Sequence, residues 1–141
     1  MNINLKIVTP EGIVYEDKVD SVSLMTETGE ITILKNHVPI VSTLKAGELR
    51  LKKNNKEELL VASTGFVEVR PGNQVIILAD TAERAEELEL EKIEEAKERA
   101  RKLLEQAKNT DEVAFANAAA MMERELARHR VATKRKKYRK V

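Results

Sequence analysis

The sequence predicts an α+β protein: an N-terminal antiparallel β-sandwich (a flattened barrel), then a C-terminal two-helix antiparallel hairpin. Two observations carry this. Up to Leu78 the chain runs in short apolar stretches separated by Gly, Pro, Asn and Asp, the pattern of strands joined by tight turns. From Ala79 onward it turns rich in Ala, Glu, Leu and Lys, all good helix formers. No Gly/Ser linker separates the two patterns. The expected units are residues 1–84 for the sandwich and 85–141 for the helical half, which ends in a basic tail.

The strands follow in order. Ile3 to Val8 alternates apolar and polar, as a half-buried strand does. Thr9-Pro10-Glu11-Gly12 is a turn and Ile13-Val14-Tyr15 a short strand. Val19 to Met25 alternates again, with Val19, Ser21 and Ser23 on one face and Val22 and Leu24 near the other. Ile31–Leu34, Val41–Leu44, Glu48–Leu51 and Leu59–Ala62 continue the series, with a polar hairpin tip at 52–57. Phe66–Val69 and Val75–Leu78 pair across Pro71-Gly72-Asn73. Short strands at this spacing, with no long helix between them, make a sandwich or flattened barrel.

The first helix spans Leu88 to Ala107. Leu88, Ile93, Ala96, Ala100, Leu103 and Ala107 form its apolar stripe. Glutamates crowd its first turns and basic residues follow, which suits the helix dipole. Glu95–Arg99 and Glu98–Lys102 are favourable i,i+4 pairs. Propensity alone starts this helix at Thr81 or Ala82. Asn109-Thr110-Asp111 breaks the helix with N-capping chemistry. A second helix runs from Glu112 to about Val131. Its middle is small, with Ala114, Ala116, Ala118, Ala119 and Ala120. Small residues let two helices approach closely but bury little area, so this hairpin holds loosely.

Composition excludes several functions. With no Cys there are no disulfides, thiol nucleophiles or cysteine-based metal sites. No apolar run approaches the roughly 20 residues that span a bilayer, and MNINLKIVTPEG lacks the pattern of a signal peptide. No P-loop is present, and Ser63 lies in STG rather than in a nucleophile-elbow string. The glutamates fit solvated helix faces, and no catalytic set is visible. His37 and His129 lie in different halves, so neither has a local partner for a metal.

The net charge of +1 hides an asymmetry. Eight of the 25 basic residues fall at or after position 128, and no acidic residue follows Glu125. The rest of the chain holds 17 basic groups against 24 acidic ones. The tail residues Arg128, Arg130, Lys134, Arg135, Lys136, Lys137, Arg139 and Lys140 fit three roles: a solvated helix end, a site for nucleic acid or anionic lipid, or a dock for an acidic protein surface. Tyr138 is the only aromatic among them, fewer than single-strand binders interleave with their charges.

Three strings carry a resemblance. The segment Gly65–Glu86, with its ADTAERAEE core, the loop TGEITILKNHVP at 28–39 and the start of the first helix match in order. Together they resemble the ε subunit of bacterial F-type ATP synthases, whose counterparts occur in chloroplasts and mitochondria. In the loop, Gly29, Glu30, Ile33, Leu34, His37 and Pro39 fit the family pattern, whereas Thr32, Lys35 and Asn36 stand where Gly, Pro and Gly are common. Asn tolerates a left-handed backbone, so Asn36 can serve as Gly does. The resemblance also implies a last strand or turn through about Arg84, where propensity alone reads helix.

The resemblance implies a non-catalytic rotor subunit on the cytoplasmic face of the bacterial plasma membrane, reaching the membrane only through its complex. Its sandwich would sit against the γ subunit and the c-ring, with Glu30 and His37 at the rotor contact. The C-terminal helices would restrain ATP hydrolysis when extended, their basic residues meeting acidic groups of the α/β catalytic head. No nucleic acid is implied, although an adaptor for nucleic acid or an anionic surface, binding through the tail, is the competing class.

Some relatives bind ATP through an Ile/Leu-Asp-x-x-Arg-Ala motif. The matching string here is Leu88-Glu89-Leu90-Glu91-Lys92-Ile93, and Glu83 and Arg99 match positions around that site. Lys92 stands for a forked guanidinium and Ile93 for a smaller Ala, so weak or absent ATP binding is expected and no cofactor.

Overall fold

The computed structural model describes residues 2–107 and 111–139, with side chains described through Arg135. Ten strands run β1 (Ile3–Thr9), β2 (Gly12–Val19), β3 (Ser21–Thr26), β4 (Gly29–Leu34), β5 (Ile40–Leu44), β6 (Gly47–Lys53), β7 (Lys56–Ala62), β8 (Gly65–Arg70), β9 (Gln74–Ala79) and β10 (Ala82–Arg84). They form two five-stranded sheets, ordered β2-β1-β9-β8-β5 and β10-β7-β6-β3-β4. Two helices follow, α1 (Leu90–Ala107) and α2 (Glu112–Arg139).

Alternation places the core. Ile3, Leu5 and Ile7 of β1, Leu49 and Leu51 of β6, and Val75 and Ile77 of β9 all point between the sheets and are buried. Their neighbours in sequence face outward. The pairing departs from the expected pattern once: β1 joins β9 in parallel, with Leu5 beside Val75 and Ile7 beside Ile77. Gly65 is required where β8 meets β9, because a Cβ there would lie 1.9 Å from the Leu78 carbonyl oxygen.

Several elements differ from the sequence reading. The strand expected at 13–15 runs to Val19, because Glu16, Asp17 and Lys18 occupy an edge strand where charge is tolerated. β3 is buried on both faces, with the Ser23 hydroxyl held 2.8 Å from that of Thr32. A Gly at position 32 would leave that hydroxyl without this partner. The short strand β10 is the last strand that the resemblance implies, and it stands where helix propensity alone places the start of the first helix. Ser63 clips it in place: its N–H donates to the Thr81 carbonyl at 2.9 Å and its Oγ accepts the Thr81 N–H at 2.8 Å.

A 3-10 turn at Ala85–Glu87 links the sandwich to α1, which starts two residues later than expected. The i,i+3 and i,i+4 ion pairs of α1 run through Arg101, to Glu98 at 2.5 Å and Glu105 at 2.8 Å. Of the expected cap, Asn109 and Thr110 lie outside the described residues, and Asp111 Oδ1 accepts the Val113 N–H at 3.0 Å. The second helix continues eight residues past the expected end at Val131. Lys and Arg are good helix formers, and cations suit a helix C-terminus. Buried positions recur at seven-residue spacing: Ile93, Ala100 and Ala107 on α1, Ala118 and Glu125 on α2. That repeat is the seam of an antiparallel pair.

Candidate functional site

Two surfaces of the sandwich carry the candidate residues. The first is the β4/β5 edge with the loop between those strands. Asn36 takes a left-handed φ of +64°, the backbone that lets it serve as Gly does, and its N–H donates to Asn73 Oδ1 at 2.7 Å. This bond pins the loop to the β8–β9 turn. His37 follows, half-buried, with Nδ1 2.7 Å from the Val38 carbonyl oxygen. Glu30 lies farther back on edge strand β4, where Arg50 Nη2 donates to it.

Beside this edge the outer face of the first sheet is unusually apolar. Val41 of β5, Phe66 of β8, Leu78 of β9 and Ile13 of β2 are all about half exposed or more. Phe66 and Leu78 are direct cross-strand partners. Leu34, at the end of β4, and Val38, in the β4–β5 loop, are also exposed. An apolar face of this kind marks an interaction surface.

The second surface is the seat of α2 on the other sheet. Ala127 and Val131 pack on Val61, Ala46 and Ala85, with Leu59 and Leu88 at the margin. Charges surround this small apolar contact. Arg128 Nε donates to Glu83 at 2.7 Å and its Nη1 to Glu125 at 2.7 Å. Glu125 is fully buried, and Arg124 reaches it at 3.2 Å. Burial pulls the Arg128 pKa down, but the Glu125 hydrogen bond and the charge of Glu83 outweigh it and leave the pKa above the usual arginine value. Lys134 Nζ reaches both oxygens of Glu48, at 2.9 and 3.1 Å. Arg135 donates to the Ala85 carbonyl, and His129 lies 3.3 Å from Glu94 of α1.

The structure therefore gathers Arg128, Lys134 and Arg135 of the basic set against the sandwich, while Arg130 is exposed. The side chains of Lys136, Lys137 and Arg139, and all of Lys140, lie outside the described residues. Sequence reasoning missed Glu48, Arg50 and Glu125. One signal was available for the first two: they are two residues apart on a strand and so project from the same face.

The nucleotide candidates are occupied otherwise. Glu83 is engaged by Arg128. Glu89 and Lys92 pair with each other at 3.2 Å in solvent, and Arg99 is exposed on α1. Leu88 lies under α2 in the apolar seat. A cleft of about 470 Å³ between the sandwich and α2 is lined by Glu27, Asp80 and Glu123 against Lys45 alone, a charge balance that disfavours phosphate. Among the described residues no group of three or more His, Cys, Asp or Glu could hold a metal, and no helix is long and apolar enough to cross a membrane.

The sandwich, residues 2–85, matches the family model described as ATP synthase, Delta/Epsilon chain, beta-sandwich domain. The chain is similar to the ATP synthase epsilon chain of Halalkalibacterium halodurans, 49% identical over 106 residues, covering 75% of this chain and 79% of that one. Similarity to the epsilon chain of Bacillus velezensis is 42% over 130 residues, covering 92% and 96%. Among solved structures, a chain of the Euglena gracilis mitochondrial ATP synthase superposes with a TM-score of 0.73 at 25% identity, covering 89% of this chain and 78% of that one. A chain from the central stalk/c-ring structure of the Tetrahymena thermophila mitochondrial ATP synthase shares the fold, at 16% identity and a TM-score of 0.63, covering 95% of this chain and 96% of that one. The chain belongs to the ATP synthase delta/epsilon family.

Proposed function

We propose that this chain is a non-catalytic rotor subunit of an F-type, proton-translocating ATP synthase. Its sandwich couples the catalytic head to the c-ring, and its helices restrain ATP hydrolysis. Family membership supports the rotor role, and the apolar outer face carrying Val41, Phe66 and Leu78 supports attachment of the sandwich to other rotor chains. The γ subunit takes that face, and the c-ring takes the edge with Glu30 and His37. The complex sits at the cytoplasmic face of the plasma membrane, and this chain reaches the membrane only through it.

The inhibitory reading rests on one observation. Two of the α2 cations that would meet an acidic head, Arg128 and Lys134, are held here by carboxylates of the sandwich. Glu48 and Glu83 thus offer the folded hairpin the same chemistry that the α/β head offers the extended one. A helix pair held by a small apolar contact and ion pairs exchanges such partners at low cost. Because Glu83 and Leu88 already serve the folded hairpin, ATP is not needed to hold it down.

The test is ATP hydrolysis by the matching catalytic head, with the full chain or a version ending at Ala85. Inhibition by the full chain alone supports both halves of the proposal. Binding of both versions without inhibition reduces the chain to a coupling part. If neither binds and the full chain instead shows salt-steep affinity for DNA, the tail is a nucleic-acid adaptor.

A further inference from the structure

Arg50 is shared between the sheet edge and the hairpin seat. On β6, Glu48 and Arg50 project from the same outer face. Arg50 Nη2 donates to Glu30 on β4, and its Nε lies 3.6 Å from Glu48 Oε1. Lys134 holds the same Glu48 carboxylate through both oxygens. Four charges therefore run from the sheet edge to the last turns of α2: Glu30, Arg50, Glu48, Lys134. The Glu30 side chain is 45% exposed and that of Glu48 is 22%, so the outer end of the row is open to a partner and the inner end is partly shielded.

We propose that Glu30, Arg50, Glu48 and Lys134 form a relay, through which a cationic or hydrogen-bond-donating partner that engages Glu30 releases the hairpin. The proposal rests on the hairpin-release reading above. Its sign follows from geometry. While Glu30 holds the tip of the guanidinium, Arg50 Nε stays beyond good hydrogen-bond distance of Glu48, and Lys134 has that carboxylate. A partner that takes Glu30 leaves Arg50 with one carboxylate. A guanidinium grips a carboxylate through two parallel bonds, which an ammonium does not. Arg50 then displaces Lys134, and α2 loses its tie to β6. Linkage makes the effect reciprocal: a docked hairpin weakens binding at Glu30 by the same factor.

The experiment uses the full chain. It has no Cys, so Lys56→Cys and Asn117→Cys, both at exposed positions, place one donor–acceptor dye pair across sandwich and hairpin. The ratio of open to docked hairpin is then read for Glu30→Gln, for Lys134→Gln and for the double variant. Glu30→Gln is expected to raise the ratio about two- to fivefold while Lys134 is present. It should add nothing once Lys134 is Gln. Melting curves confirm that each variant folds. An unchanged ratio in Glu30→Gln, equal effects in both backgrounds, or a ratio that no variant moves each overturns the relay. Hydrolysis by the catalytic head is read in parallel. If the ratio shifts as expected and inhibition does not follow, the relay stands and the inhibitory reading falls.

Discussion

Two apolar contacts of the sandwich, one between its sheets and one beneath α2, are filled differently. Between the sheets the largest fully buried side chains include Ile3, Leu5, Ile7, Leu24, Ile33 and Leu60. Beneath α2 the contact is Ala46, Val61, Ala85, Ala127 and Val131. Each buried methylene is worth about 0.8 kcal/mol, so a contact of Ala and Val stabilises far less than one of Ile and Leu. The seat adds ion pairs at Glu48, Glu83 and Glu125. Such pairs orient a helix well but stabilise it modestly, and salt screens them. The chain is thus committed in one place and reversible in the other. That division suits a scaffold that stays on a rotor while its helices change partners.

The largest expected effect lies in the core. Leu60 is fully buried between the sheets, and Leu60→Ala should lower global stability by about 2–5 kcal/mol in urea unfolding. A loss below about 1 kcal/mol would break the comparison, because the core would then tolerate cavities as a loose seam does. Glu125→Ala comes next. It leaves Arg128 with Glu83 alone and takes the partner of Arg124. Both arginines keep some solvent, so the cost should be about 1–3 kcal/mol rather than that of a sealed charge. Hydrogen exchange should place the loss in α1 and α2. Faster exchange in β1 or β9 would show that the two contacts are one cooperative unit. Val131→Ala removes two methyl groups from the seat and should cost about 1 kcal/mol, again confined to α2 amides.

The core was legible in sequence because its signal is local. Alternation at 3–8 states which side chains point inward, and the structure keeps Ile3, Leu5 and Ile7 buried. Asn36 was legible for the same reason, since one residue's tolerance of positive φ decides its turn. The seat was not. Glu48, Glu83 and Glu125 are ordinary charged residues in their own segments. Their roles exist only after β6, β7 and β10 pair and bring positions 48, 61 and 83 into one row. β10 itself was hidden from propensity, because Ala82-Glu83-Arg84 has helical composition and becomes a strand by pairing with Leu60–Ala62. The cations of α2 were visible, but the acceptors that hold them lie 45 and 86 residues away.

The smallest effect gives the sharpest test of the comparison, because it needs no mutation. Added salt weakens charge pairs in the seat and leaves aliphatic packing intact. Near 1 M the screening length falls to about 3 Å, comparable to the separation of the partners themselves. The Lys134–Glu48 pair is partly exposed on both sides, and Arg128 bridges Glu83 at the sheet edge, so both feel the solvent ions. Exchange of α2 amides after Glu125 should quicken by about two- to fivefold between 0.05 and 1 M salt, while β1 and β9 amides keep their rates. Sulfate salts would confuse the reading by strengthening apolar burial, so chloride is the right choice. If α2 is as indifferent to chloride as the core, the Ala and Val contact holds the hairpin by itself. The charges would then set where α2 lies and not how tightly, and release would need a partner that competes for Val61 rather than for Glu48.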